Sequence, residues 1–97
     1  LLLDEPVASL DLAAREQTIA LISAYATEPA APAIVMVTHH LEEIPAGFTH
    51  ALILSGGQVY AAGEIASTLT SDKLSEAFGI RLAVDFADGR YRARFHG

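Results

Sequence analysis

The strongest constraint on this chain is a pair of short, wholly apolar runs that each stop abruptly at polar, chemically capable residues. Leu1-Leu2-Leu3 ends at Asp4-Glu5-Pro6, and Ala33 to Val37 (AIVMV) ends at Thr38-His39-His40. Apolar runs of that length without alternation suit strands buried on both faces of a parallel sheet. Parallel neighbours cannot be joined by a tight turn and need a crossover segment, usually a helix. The residues in between supply one. Asp11 is placed to cap a helix from about Leu12 to Ala26, and Pro29 and Pro32 mark the loop after it. On that helix Leu12, Ile19, Ile22 and Ala26 share one face at helical spacing, while Arg15, Glu16 and Ser23 fall away from it. Strand, helix and strand in this order read as a βαβ unit, whose crossover is expected to be right-handed. Ligands of such sheets lie beyond the carboxyl ends of the strands. Asp4-Glu5 and Thr38-His39 both fall at such ends.

The fold class expected is therefore α/β, with a parallel βαβ core followed by β-hairpins and short helices. After a helical turn from Leu41 to Ile44 and Pro45, two strand-like runs, Ala51 to Leu54 and Gln58 to Ala62, flank the hairpin signal Gly56-Gly57. Ile65 to Leu69 and Lys73 to Phe78 suit short helices, the second stopped by Gly79. Leu82 to Phe86 alternates, turns at Asp88-Gly89 and continues from Arg90 to Phe95 as an antiparallel hairpin.

Composition narrows the partners. The 97 residues are 52% hydrophobic, enough for a packed core and too apolar for wholesale disorder. A net charge of −6, with Lys73 the single lysine, is a poor match to a phosphate backbone, so no nucleic acid is expected as a partner. Having no cysteine removes disulfides and thiolate metal sites and suits a reducing cytoplasm. No apolar run approaches the roughly 20 residues that span a bilayer. Leu1 is not a start methionine and no basic region precedes its apolar triplet, so the chain reads as a piece of a longer protein.

Two adjacent carboxylates just past a buried strand can divide two jobs of phosphoryl transfer. One offers a hard oxygen to magnesium, and the other orients the attacking water. By this chemistry Asp4 is the metal ligand and Glu5 the base or orienter. An acidic turn after a strand would look the same in isolation.

In combination the pattern is more specific. LLLDEP resembles the Walker B segment of ABC (ATP-binding cassette) ATPases, Ser9-Leu10-Asp11 is similar to their D-loop, and Val37-Thr38-His39 resembles their H-loop, in the family's order. The resemblance implies the C-terminal part of a P-loop NTPase fold. Residues 1–63 would carry the cassette motifs, and residues 64–97 would complete the domain or be appended to it. It implies ATP and Mg2+ as cofactors, with Asp4, Glu5, Asp11 and His39 around the nucleotide. Asp4 would be the magnesium carboxylate and Glu5 the catalytic glutamate. His39 would contact the terminal phosphate and hold the water and Glu5 in place. Asp11 would lie where two cassettes meet. The partners implied are a second ABC ATPase subunit, identical or not, and a membrane-spanning permease subunit. The location implied is cytoplasmic, at the inner face of the cell membrane. The activity implied is ATP hydrolysis coupled to solute transport by the intact parent. A soluble ABC ATPase acting in translation or DNA maintenance would share these motifs, and a regulatory or dimerisation fragment without ATPase function is a third possibility.

Leu54-Ser55-Gly56-Gly57-Gln58 spells the ABC signature, but it follows the histidine motif and leads into Val59-Tyr60-Ala61-Ala62, a good strand and a poor helix start. It is expected to be a hairpin turn. No Gly-x-x-x-x-Gly-Lys loop occurs, since Lys73 sits between Asp72 and Leu74. The piece alone is thus expected to bind ATP weakly at best and not to hydrolyse it. The spacing in His39-His40-Leu41-Glu42-Glu43 is wrong for a metal motif, so His40 is read as surface, and His50 and His96 carry no motif.

Overall fold

The computed structural model describes residues 1–95; His96 lies outside the described residues. The order of elements is β1 (Leu2–Asp4), α1 (Leu12–Ala26), β2 (Val35–Val37), a 3-10 turn (Leu41–Glu43), β3 (His50–Ser55), β4 (Gln58–Glu64), α2 (Ile65–Thr68), α3 (Ser71–Phe78), β5 (Leu82–Ala87) and β6 (Arg90–Phe95). The chain divides into two compact units, Leu1–Phe48 with Ala87–Tyr91, and Thr49–Phe86 with the segment from Arg92 onward. Among the described residues no helix is long and apolar enough to cross a membrane.

The first unit contains the βαβ element. β1 and β2 pair in parallel, with Leu2 opposite Val35, Leu3 opposite Met36 and Asp4 opposite Val37. The pairing runs past the strands at both ends, because Val35 N donates to Leu1 O (2.9 Å) and Glu5 N donates to Val37 O (2.8 Å). α1 starts where the capping logic puts it: Asp11 is extended (φ −69°, ψ 172°) and its Oδ1 accepts from Ala14 N at 2.8 Å. Val7, Ile19 and Pro45 are buried in this unit. Ser23 Oγ donates to Ala46 O at 2.5 Å, fixing the chain that leads to Gly47. Only glycine fits position 47, where φ is +92° and a Cβ would meet Thr27 Cγ2 at 2.9 Å.

Two expectations about this unit need correction. The strands are not buried on both faces: Leu3 and Met36 are half-buried, whereas Leu2 and Val35 are 67% and 59% exposed. A two-stranded sheet within 97 residues has too little chain around it to cover both faces. Leu12, assigned to the inner face of the helix, is 66% exposed, while Ile19 two turns later is 2% exposed. Leu12 is the first helical residue, at an end with little around it to pack against. The opposite face is apolar too, since Leu21 and Tyr25 are also exposed.

In the second unit β3 and β4 form an antiparallel hairpin, and Ser55 pairs with Gln58 across the turn. Gly56 and Gly57 have φ of +60° and +76°, the signature of a two-residue type I′ turn. The LSGGQ letters therefore form a hairpin, as expected, and not a helix start. Ile53, Leu69 and Leu74 are buried here with Thr68. α3 is capped at both ends, by Thr70 Oγ1 accepting from Lys73 N and by Gly79 in the left-handed conformation. The serines of α3 hold the following strand, with Val84 N donating to Ser71 Oγ and Leu82 N to Ser75 Oγ, both at 2.8 Å. Tyr60 donates a hydrogen bond to the Glu76 carboxylate, which raises the Tyr60 pKa. β5 and β6 form a further two-stranded sheet, joined through Asp88-Gly89.

One long-range ion pair ties the first unit together. Arg90 grips Glu16 with both terminal nitrogens, Nη1 to Oε1 at 2.9 Å and Nη2 to Oε2 at 3.3 Å, and also donates to the Glu42 carbonyl. The hydrogen bond from Arg90 holds the Glu16 carboxyl below its ordinary value of 4.5, outweighing the opposing effect of desolvation. A depressed carboxylate pKa contributes stability that is present above 4.5 and lost as pH falls through the lowered value. Glu16→Gln should therefore unfold at lower denaturant than the parent at pH 7, and the gap should close as both are titrated below pH 4.5. Urea titrations across that window check it. Asp11→Ala should cost about 1 kcal/mol by loss of the cap, and Asp11→Asn only a fraction of that, as measured by thermal unfolding.

Candidate nucleotide-facing site

The pairing of β1 with β2 decides where the polar residues go. Aligning Asp4 with Val37 brings both strands to an end at the same level, so Glu5 and Thr38-His39 emerge at one rim. The Glu5 amide is held by Val37 O, which anchors the carboxylate's backbone to the strand that leads to His39. Beyond it the chain turns tightly, with Ala8 N donating to Glu5 O and Leu10 N to Val7 O, and buried Val7 pins the turn.

At this rim the side chains of Glu5 and His39 meet, with His39 Nε2 lying 3.8 Å from Glu5 Oε2. That is longer than a hydrogen bond, so the two groups are close neighbours without a direct bond. A water beside both could donate to the carboxylate and accept from an Nε2–H of the imidazole. The two side chains are 75% and 43% exposed, so the pair faces outward and is open to a ligand. Asp4 is also exposed, and its carboxylate makes no hydrogen bond or ion pair with the described residues. Among the described residues no group of three or more His, Cys, Asp or Glu side chains could hold a metal ion. Asp11 stands apart in its local role, because one of its oxygens is committed to the cap of α1.

Glu5 has a backbone that its side chain does not favour. Its φ of 48° lies in the left-handed region, which costs a residue with a Cβ roughly 1–2 kcal/mol. Asp88 shares that sign of φ (54°), but it begins an Asp-Gly turn that calls for such a conformation. No glycine replaces Glu5, although glycine would relieve the strain. Strain of this kind is concentrated at functional sites.

Of the other described histidines, His40 lies at the surface as expected. His40 is exposed beside Glu42, Nδ1 to Oε1 at 3.6 Å, and His50 is exposed next to the Thr49 hydroxyl. Glu43, considered from the sequence only as a metal donor and set aside, is instead buried at 5% exposure and accepts from Thr38 Oγ1 at 2.5 Å. Its neighbours Glu42 and Ile44 give no hint of this, since the bond arises from the tertiary course of a 3-10 turn. The Glu16–Arg90 pair was equally invisible, its partners being 74 residues apart.

Comparisons with known proteins agree on one family. The chain is 47% identical over 78 residues, 80% of its length, to an uncharacterized ABC transporter ATP-binding protein, YlmA, of Bacillus subtilis. It is 44% identical over 85 residues, 88% of its length, to the hemin import ATP-binding protein HmuV of Roseobacter denitrificans. Among solved structures it resembles a metal-chelate-type ABC transporter in an inward-facing conformation, with a TM-score of 0.75 at 25% identity over 98% of the chain and 38% of that protein. No family model matches the chain. The matched part spans 30% and 32% of the two relatives' lengths.

The strain at Glu5 can be measured. Glu5→Gly should leave the unfolding midpoint unchanged or higher despite the loss of a side chain, whereas Glu5→Val should lower stability by about 1 kcal/mol. Thermal denaturation of the two variants beside the parent decides it.

Proposed function

Over the segment it spans, the chain belongs to the ABC transporter ATP-binding proteins, and on that premise we propose that it supplies the metal-and-water side of an ATP hydrolysis site in a transport ATPase. The observation that carries this reading is the approach of His39 to Glu5 at the carboxyl rim of two parallel strands. That is where ligands of parallel sheets bind. The hemin import role in a relative's name favours transport of a solute over a soluble ATPase acting on ribosomes or DNA.

Each residue has a task that its surroundings support. Asp4 offers an unengaged hard carboxylate at the rim. One such ligand suits magnesium, which takes one or two protein carboxylates and completes its octahedron with phosphate oxygens and water. When bound, the ion would neutralise phosphate charge and orient the terminal phosphate. Glu5 presents an exposed carboxylate to a water in line with that phosphate and accepts its proton as attack proceeds. His39 donates a hydrogen bond to the terminal phosphate while its proximity to Glu5 keeps the carboxylate facing the same point. Asp11, already ordered by capping α1, would face a second cassette across a paired interface. Residues 1–63 would carry this machinery, with residues 64–97 completing or extending the domain. The phosphate cradle that these residues do not include would come from elsewhere in an intact cassette. Paired cassettes beneath a membrane-spanning permease, at the inner face of the membrane, would then convert hydrolysis into transport.

The test is ATP turnover by a full-length cassette carrying this segment. Glu5→Gln and His39→Ala should each lower kcat at least about a hundredfold, with far smaller effects on nucleotide affinity. Unchanged turnover in both variants would sink the assignment.

A further inference from the structure

We propose that Glu43 is a positioning residue for His39, acting through Thr38; this rests on the reading of His39 as the phosphate-side group. The His39 ring is 75% exposed, so packing does not orient it and its backbone must. That backbone is bracketed on both sides. Thr38 Oγ1 donates its single proton to Glu43 Oε1 at 2.5 Å, and the same oxygen accepts from His40 N at 3.1 Å. The hydroxyl also lies 3.4 Å from His40 O, but one proton cannot serve both acceptors and the nearer, charged one takes it. Glu43 N in turn donates to His40 O at 3.1 Å, closing the 3-10 turn. The residues before and after His39 are thus both tied to Glu43, one through its carboxylate and one through its amide as well.

The carboxylate itself is an unusual thing to bury. Glu43 is 5% exposed, the one acidic side chain buried among the described residues. A buried carboxylate is costly unless hydrogen-bonded, so its pairing with Thr38 is strongly held. The turn is also tethered from outside, since Arg90 donates to the carbonyl of neighbouring Glu42 while holding Glu16. A turn secured at Thr38, His40 and Glu42 leaves His39 few alternative directions. Its imidazole is directed to the point where Glu5 already waits.

The experiment compares hydroxyl and acceptor variants in a full-length cassette carrying this segment. Thr38→Val and Glu43→Leu should each lower kcat between about ten- and a hundredfold while KM for ATP stays within about twofold. Thr38→Ser, which keeps the hydroxyl, and Glu43→Gln, which keeps an acceptor oxygen, should retain most of the activity. In a His39→Ala background Thr38→Val should cost nothing further, because a residue that works through His39 has nothing left to position. Losses that multiply in that background, a rise in KM with kcat unchanged, or full activity of Thr38→Val would overturn the proposal. Should Glu43→Leu fail to fold, the Thr38 pair carries the test alone. Should His39→Ala leave turnover intact, the site assignment fails and the positioning claim is read from amide exchange of His40. Faster exchange in Thr38→Val supports it, and unchanged exchange refutes it.

Discussion

The parallel pairing of β1 with β2 is the contact on which the site depends. Its register sets Asp4 level with Val37, and the bond from Glu5 N to Val37 O carries the pairing one residue beyond the strand. A slip of one residue would invert every side chain of β1 relative to the sheet and separate Glu5 from His39. The helix between them makes the parallel arrangement possible, and Asp11 decides where that helix begins.

The site shows how a strand end can be specialised while its side chains stay exposed. Glu5 sits in a left-handed backbone that glycine would occupy more comfortably, held there by the Val37 carbonyl behind and the Val7 turn ahead. The His39 side chain is 75% exposed, and the backbone on either side of it is held by the hydrogen bonds of Thr38 and Glu43. Rigidity thus resides in the backbone and the buried polar groups, while the chemically capable side chains stay accessible. That division suits a ligand that arrives with its own charges and its own metal.

Much of this was legible beforehand, for identifiable reasons. The apolar runs, the Asp11 cap and the Gly56-Gly57 turn are local signals, and each element formed within two residues of its expected bounds. The false signature at Leu54 to Gln58 could be rejected from its local context, because two glycines before Val59-Tyr60 favour a type I′ turn. Burial was less legible. Periodicity reports which residues could share a face, not whether anything covers that face, and so Leu2, Leu12 and Val35 were assigned to an interior they do not occupy.

By itself the sequence determined the kinds and order of the elements, the parallel relation of the first two strands, and the identity of the chemically capable residues at their ends. Those follow from steric and hydrogen-bonding preferences that act over a few residues. Tertiary structure alone decided the left-handed backbone of Glu5, the burial of Glu43 beneath Thr38, and the grip of Arg90 on Glu16. Such features depend on where a neighbour from elsewhere in the chain comes to rest, and the free energy of burying a charge is settled only by the partner it finds there.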